Sequence, residues 1–312
     1  MPYLIRLTPY NILRIWTSDL IGFGRWLALH SWWQVPAVHM SVRGLRRSQR
    51  GRKAYVFANG PSLRTIDLSM VADAVKSGAR DLFAVNSYVS SPASRIAPAT
   101  HYVLSDPAHF QSEPCREASD AIHDPPKNVA HLAASQVREI YIPFQFRREG
   151  RRFFGNRVRL FCDHEFRLWR NTTDIRWPRS FCTMTAFKAL QIACFLGYDE
   201  IMIAGFDNDY FKRITVDKNN VLWEVDEHFY DHDGGRKRRV CHHQHNSETM
   251  SEYLIANAML FSDLEQFRFA HRQIVNLVDD SLVDAFPKRS AATNQMSGLL
   301  GDASPRDSDS LT

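Results

Sequence analysis

The segment from Asp226 to Asp233, DEHFYDHD, contains two histidines four residues apart, His228 and His232. A histidine titrates near neutral pH and is the usual side chain that takes a proton from an attacking hydroxyl group. With the histidines of residues 242–245, the segment also has enough nitrogen and oxygen ligands for zinc or manganese. The cations of GGRKRR, residues 234–239, oppose a metal ion by their charge. The segment therefore predicts a general base, and a metal site is the alternative.

Small or polar residues follow several short apolar runs of the chain. They are Asn59 and Gly60 after KAYVFA, Asn86 after DLFAV, Asp106 after THYVLS, and Gly205 with Asp207 after EIMIA. If these runs are strands of an open α/β sheet, their carboxyl ends meet at the edge where ligands bind. Gly60 and Pro61 turn the chain sharply, and Ser62 offers a hydroxyl group to a phosphate or sugar oxygen. The sequence here is neither GxGxxG nor a P-loop, so an ordinary dinucleotide site is not supported.

The sequence alternates between β-rich and helical patterns, and the strands and helices that they predict would position these residues. We predict strands at residues 53–60, 81–86, 100–106, 138–144, 200–207 and 273–277, and helices at 67–77, 184–198 and 248–271. Strand, helix and strand with short connections indicate right-handed crossovers and a mostly parallel sheet, so we expect an open α/β fold. Residues 147–179 are rich in Arg and aromatic residues with weak periodicity, and we interpret them as an insertion.

The first 52 residues differ in composition from the rest of the chain. Seven aromatic residues between Tyr3 and Trp33 are interspersed with Leu, Ile and Arg, a mixture typical of helices that lie in a membrane interface. A helical hairpin packed on the main domain is the alternative. Five arginines and a lysine between Arg43 and Lys53 would meet the phosphate groups of lipids or form a solvated linker. The sequence has no nucleic-acid-binding motif, which disfavours nucleic acid as a partner.

Composition narrows the class of protein further. The net charge of +5 and the 44% of hydrophobic residues are ordinary for a globular protein. Five cysteines without a CxxC pair indicate reduced thiols in the cytoplasm rather than disulfides or a zinc site. Arg6, Arg14, Asp19 and Arg25 interrupt the apolar positions of the N-terminus, so we do not expect a signal peptide. No stretch reaches the roughly 20 uncharged residues of a membrane-spanning helix. We predict a helical segment at 1–52, a catalytic domain at 53–289 and a disordered tail at 290–312.

Six motifs within residues 53–289 occur in an order that is similar to a known family. They are FANGPSL, FAVNSY, YVLSDP, ALQIACFLGYDEIMIAGFD, HFYDH and IVNLVDDSLVDAFPK. In this order they resemble the bacterial lipooligosaccharide sialyltransferases of glycosyltransferase family 42 and related proteins of surface-polysaccharide biosynthesis. The resemblance implies a single Rossmann-like domain with a small lid at the cytoplasmic face of the inner membrane. It also implies an inverting enzyme that uses a CMP-activated sugar and no metal ion or other cofactor.

The resemblance also implies which residues bind the donor. The residues that match are Asn59, Gly60 and Ser62 against the nucleotide, Asn86 on the donor, Thr183 to Thr185 near the donor, and Gly205 and Asp207 at the end of a later strand. Asp106 stands where these sialyltransferases have Asn. A carboxylate repels a sugar phosphate, so this difference puts sialic acid itself in doubt as the transferred sugar.

Catalytic roles follow from the same resemblance. Tyr210 lies close to a family tyrosine whose hydroxyl group stabilises the leaving phosphate. The family has two histidines at the spacing found here, which makes His232 the first candidate for the base and His228 the second. The expected reaction transfers a sugar from a CMP donor to a glycan or lipid-linked glycan. A Mg²⁺-dependent nucleotide or pterin pyrophosphokinase and a non-catalytic envelope-assembly protein are the alternatives, and the oligomeric state, including a homo-oligomer, is open.

Overall fold

A computed structural model describes residues 9–110, 124–166, 172–180, 184–231, 234–239, 250–268 and 273–289. Its strands are β1 (Lys53–Phe57), β2 (Arg80–Val85), β3 (His101–Val103), β4 (Glu139–Pro143), β5 (Val158–Phe161), β6 (Glu200–Ala204), β7 (Ile214–Val216), β8 (Leu222–Asp226), β9 (Arg236–Arg239) and β10 (Ile274–Asn276). Its α-helices are α1 (Pro9–Trp26), α2 (Trp32–Ser41), α3 (Leu68–Lys76), α4 (Ala93–Ile96), α5 (Pro125–Ala134), α6 (Arg147–Phe154), α7 (Thr185–Leu196) and α8 (Met250–Glu265).

Seven strands form one parallel sheet in the order β10-β6-β1-β2-β3-β4-β5. Helices cover both faces, because alternate residues of each strand point to opposite sides. In β1, Ala54 and Val56 pack in the cluster that contains α7, whereas Phe57 packs in the cluster that contains α3 and α5. The predicted α/β fold with a mostly parallel sheet is confirmed.

The strand order reverses next to β1. The chain builds β1 to β5 towards one edge and then returns to place β6 and β10 on the other side of β1. Where the order reverses, the crossovers leave in opposite directions and a crevice opens beyond the carboxyl ends of the strands. The loops after β1 and β6 therefore flank the expected ligand position.

Helix α7 is buried nearly all round, as the sequence predicts. Its last residue is Leu196, and the next residue, Gly197, adopts the left-handed conformation with φ +85° and caps the helix. Two polar side chains, Lys188 and Gln191, are buried among its apolar residues.

Two regions differ from the sequence predictions. The insertion predicted at 147–179 contains α6 and β5, and β5 is an edge strand of the main sheet that pairs with β4. The basic GGRKRR stretch contains β9, which pairs with β8 in a small antiparallel sheet of β7, β8 and β9. β5 pairs with β4, which precedes it by one helix, and β9 pairs with β8 in a hairpin. A local sequence pattern is a weak signal for strands that are defined by such pairing.

The N-terminal segment is helical from residue 9 to 41, with a π-helical turn at Leu27–Ser31 between α1 and α2. Helix α2 lies beside the edge strand β5, where the Leu160 amide donates to Ser41 Oγ at 2.8 Å. At the end of α1, Trp26 packs against Phe166. Among the described helices, none is both long enough and apolar enough to cross a bilayer. The predicted tail at 290–312 lies outside the described residues.

Candidate functional site

A cavity of about 230 Å³ lies beyond the carboxyl ends of β1, β2 and β6. It is at the crevice that the reversal of strand order creates. Eight of the residues predicted from the sequence line it: Asn59, Gly60, Asn86, Thr185, Gly205, Asp207, Tyr210 and His228. Residues from distant parts of the chain therefore meet in one crevice.

Two glycines bring the loops after β1 and β6 into contact. The Gly60 amide donates to the Gly205 carbonyl at 3.0 Å, which extends the pairing of β1 with β6 beyond the strands. A Cβ atom on Gly60 would lie 2.1 Å from Asp207 Oδ2, and one on Gly205 would lie 2.4 Å from the Ala58 carbonyl oxygen. Gly205 also has φ +74°. At Gly205, only glycine fits both the available space and the backbone conformation.

Two asparagines whose amide oxygens are unsatisfied line the cavity. Asn59 Nδ2 donates to the Val85 carbonyl at 3.2 Å, which fixes its side chain across the ends of β1 and β2. Asn59 Oδ1 and Asn86 Oδ1 are buried and have no hydrogen-bond partner among the described residues. Asn86 adopts φ +47°, a left-handed conformation that asparagine tolerates better than most residues. Buried polar atoms without protein partners fit a site whose ligand supplies the missing hydrogen bonds.

Asp207 organises the turn after β1. Its Oδ2 atom accepts a hydrogen bond from the Ser62 amide at 3.0 Å. Burial raises the pKa of Asp207, and hydrogen bonding from Ser62 offsets only part of this rise. Ser62 is thus fixed beside the cavity through its backbone, although it does not line the cavity itself.

Arg64 fixes the segment that carries His228. Its guanidinium group donates to the carbonyl oxygens of Phe229 at 2.7 Å, His228 at 2.8 Å and Asp231 at 2.6 Å. The Phe229 amide donates in turn to the Asn59 carbonyl at 3.0 Å. The turn after β1 and the DEHFYD segment are therefore held together by hydrogen bonds to the backbone.

His228 has the surroundings of an oriented base. Its ring stacks on Tyr230 with centroids 5.2 Å apart, and its Nδ1 lies 3.6 Å from Asp231 Oδ2. The same carboxylate accepts a hydrogen bond from the His228 amide at 2.7 Å. A nearby carboxylate stabilises the protonated imidazole that forms when a histidine takes a proton.

Besides Ser62, three predicted site residues are not among those that line the cavity. Asp106 is exposed and caps a short turn by accepting from the Ala108 amide at 2.9 Å, so it does not line the cavity. His232 and Thr183 lie outside the described residues. The buried residue at the end of β3 is Ser105, whose Oγ lies 2.7 Å from Thr185 Oγ1.

Several residues of the site are not among those predicted from the sequence. Asp209 and Glu227 also line the cavity, and Glu227 pairs with both Arg64 and Arg213. Behind Thr185, Lys188 Nζ donates to Ser105 Oγ at 3.1 Å. Lys188 in a predicted buried helix was the sequence signal that could have indicated these residues, because a buried charge requires buried polar partners.

The metal alternative finds no support in the part of the chain that the structure describes. No group of three or more His, Cys, Asp or Glu side chains within those residues could hold a metal ion. His232 and the histidines of 242–245, which belong to that alternative, lie outside them.

Comparison with known proteins assigns no family to this chain. The chain matches no protein-family model, and a search of curated proteins gives no match either.

Proposed function

We propose that the chain is an inverting glycosyltransferase with a Rossmann-like domain, which transfers a sugar from a CMP-activated donor to a glycan or lipid-linked glycan. The observation that carries the proposal is the meeting of Asn59, Asn86 and His228 in one crevice at the reversal of strand order. Open α/β sheets bind nucleotides at this position. The order of motifs that resembles family 42 sialyltransferases supplies the choice of donor.

The nucleotide would lie against the loop after β1. Gly60 lets the ligand approach the backbone without a side chain in the way. The free oxygens of Asn59 and Asn86 accept hydrogen bonds, and the exocyclic amino group of cytosine and the ribose hydroxyls are donors. Uracil donates through its N3–H instead, so these acceptors suit a nucleotide in general, and the resemblance supplies the choice of cytidine.

The reaction requires a base for the acceptor hydroxyl and stabilisation of the leaving phosphate. Among the described residues, His228 would take the first role, because it lines the cavity and has Asp231 beside its ring. His232 remains the other candidate for the base. Tyr210 lines the same cavity, where its hydroxyl group can donate to the phosphate. The small sheet of β7 to β9, which follows Tyr210 in the chain, would act as the lid.

Donor hydrolysis tests this assignment. We expect wild-type protein to hydrolyse a CMP-sugar faster than UDP- or GDP-sugars, and to do so in EDTA. His228→Gln and His232→Gln are compared separately, with the exposed His131→Gln as the matched control. Absence of hydrolysis with every donor would contradict the enzyme proposal. Full activity in both histidine variants would remove the base assignment, and dependence on added Mg²⁺ would favour the pyrophosphokinase alternative.

We further propose that the protein acts at the cytoplasmic face of the inner membrane as a peripheral protein. Large apolar side chains are exposed along the helical segment: Leu13, Leu20, Ile21, Leu27, Leu29, Trp32 and Met40. Leu13, Leu20 and Leu27 recur every seven residues and so lie on one side of α1 and the π-helical turn that continues it. Between residues 20 and 66 the chain has no Asp or Glu, whereas it has seven Arg and one Lys. Exposed apolar side chains flanked by cations suit an anionic lipid surface.

A further inference from the structure

A buried polar network extends from the cavity into the core below α7. Lys188 Nζ donates to Asp163 Oδ2 at 2.9 Å and to Ser105 Oγ at 3.1 Å. Arg179 donates to the other oxygen of Asp163 at 2.6 Å. The side chains of Asp163, Lys188 and Arg179 are nearly fully buried. At the cavity, the network ends at Thr185, which lines the wall.

Fold stability alone gives no reason for a lysine in this place. Apart from Gln191, the other buried side chains of helix α7 are apolar, and an apolar residue would avoid the cost of removing an ammonium group from water. Burial lowers the pKa of Lys188, while the charge of Asp163 opposes this change. Burial would raise the pKa of Asp163, but Arg179 and Lys188 together bring it below its usual value. Glu165 is the other carboxylate that acts on Lys188.

The charge of Lys188 fixes the direction of its own hydrogen bond to Ser105. An ammonium group only donates, so Ser105 Oγ accepts from Lys188. Within the described residues, the other partner of Ser105 Oγ is Thr185 Oγ1 at 2.7 Å, and either hydroxyl group can donate in that bond. When Ser105 donates, Thr185 accepts and keeps its own hydrogen for a group in the cavity. Chains of hydrogen bonds that start at a charge polarise each successive member in the same direction.

We propose that Lys188 is a positioning residue that, through Ser105, holds the Thr185 hydroxyl group as a hydrogen-bond donor to an anionic oxygen of the bound donor. The inference rests on the proposed function, because the anion is a phosphate or carboxylate oxygen of the nucleotide sugar. Thr185 is also the first residue of α7, where the helix dipole favours negative charge. Asp207, Asp209 and Glu227 are the carboxylates of the described cavity wall and repel an anionic group, whereas the Thr185 hydroxyl group can donate to one.

The test compares the affinities of cytidine, CMP and CMP-sialic acid by calorimetry. The ratio of CMP to cytidine affinity reports on the phosphate, and the ratio of CMP-sialic acid to CMP affinity reports on the sugar and its carboxylate. The variants are Ser105→Ala, which cuts the network but keeps the Lys188 and Asp163 pair, and Thr185→Val. Thr185→Ser keeps the hydroxyl group. Ser91→Ala is the matched control, because Ser91 is a buried serine with a hydrogen bond outside the cavity.

We expect Ser105→Ala and Thr185→Val each to lower one of the two ratios by about tenfold, the usual effect of losing a hydrogen bond to a charged group. The double variant should be no worse than Thr185→Val alone, because both act through one hydroxyl group. Thr185→Ser and Ser91→Ala should keep both ratios. If wild-type protein binds CMP but both ratios are unchanged in Ser105→Ala, the inference is overturned and the proposed function still stands. Additive losses in the double variant would have the same consequence. Wild-type protein that binds none of the three ligands would overturn the proposed function with it.

Discussion

Gly60 and Gly205 join the ends of β1 and β6 through a single backbone hydrogen bond of 3.0 Å, from the Gly60 amide to the Gly205 carbonyl. The two loops approach so closely that each glycine faces backbone atoms at the position of a missing Cβ. The close approach of the two loops beside the cavity therefore depends on two residues without side chains.

Replacing Gly205 by alanine should destabilise the fold more than an equivalent change outside the cavity. The Cβ atom of Gly205→Ala would meet the Ala58 carbonyl oxygen, in addition to the cost of φ +74°. Gly78 is the matched control, since it has φ +75° and a Cβ there would meet nothing within 4 Å. We expect Gly78→Ala to lower the free energy of unfolding by about 1 kcal/mol, and Gly205→Ala to lower it by at least about 2 kcal/mol more. Equal losses by urea unfolding would contradict the close approach of the two loops.

Arg64 should matter more for activity than for stability. Its side chain is 42% exposed, and it holds the His228 segment through three carbonyl oxygens. In Arg64→Met we expect kcat/KM for donor hydrolysis to fall by about 100-fold, because a misplaced base costs this much, while the melting temperature changes little. The exposed Arg95→Met is the control. Unchanged kcat/KM in Arg64→Met would show that the position of His228 does not limit the reaction.

Much of this architecture could be predicted from local sequence patterns. Strands β1, β2, β4 and β6 are apolar runs with clear ends, and the residues at the ends of three of them, Asn59, Asn86 and Gly205, line the cavity as the pattern predicts. Strand β5 is not predicted, because it has only four residues in an Arg-rich stretch and is defined by its pairing with β4. The composition of β9 is typical of a basic loop, and only its pairing with β8 makes it a strand.

The end of β3 departs from the strand end that the sequence predicts. Strand β3 ends at Val103, so the chain turns earlier than the apolar run suggests. Ser105 is therefore buried beside Thr185, and Asp106 caps the turn on the surface. Successive residues at a strand end face opposite ways, so an uncertainty of one residue changes which side chain reaches the cavity.

Acid should weaken the fold through His101, which stacks on Phe83 with centroids 4.5 Å apart. Burial lowers the pKa of His101 from 6.5 to about 4. Between these values the unfolded chain binds a proton that the folded chain does not, so stability is full above pH 6.5 and falls as the pH falls towards 4. From pH 7 to pH 5 this contributes a loss of about 2 kcal/mol. His101→Phe keeps the stacking, and its urea unfolding should lose that much less over the same range. An equal loss in both proteins would exclude His101 as the cause.

Membrane association should depend on the exposed leucines of α1 and of the π-helical turn that follows it. Leu20 and Leu27 are 58% and 54% exposed, and the double change Leu20→Gln/Leu27→Gln removes apolar contact without changing charge. We expect it to weaken sedimentation with phosphatidylethanolamine and phosphatidylglycerol vesicles by at least about tenfold. Ile96→Gln is the control, because Ile96 is an exposed apolar residue of α4. Vesicle binding that is equal in the double variant, or absent in wild-type protein, would contradict a lipid-facing α1.

The central claim is that the crevice between the ends of β1 and β6 binds a cytidine nucleotide, and a crystal structure with CMP tests it most directly. We predict CMP in the cavity, with hydrogen bonds to Asn59 Oδ1 or Asn86 Oδ1 and its phosphate near Thr185 and Tyr210. CMP bound at another surface, or crystals grown at saturating CMP with only solvent in this cavity, would contradict the account.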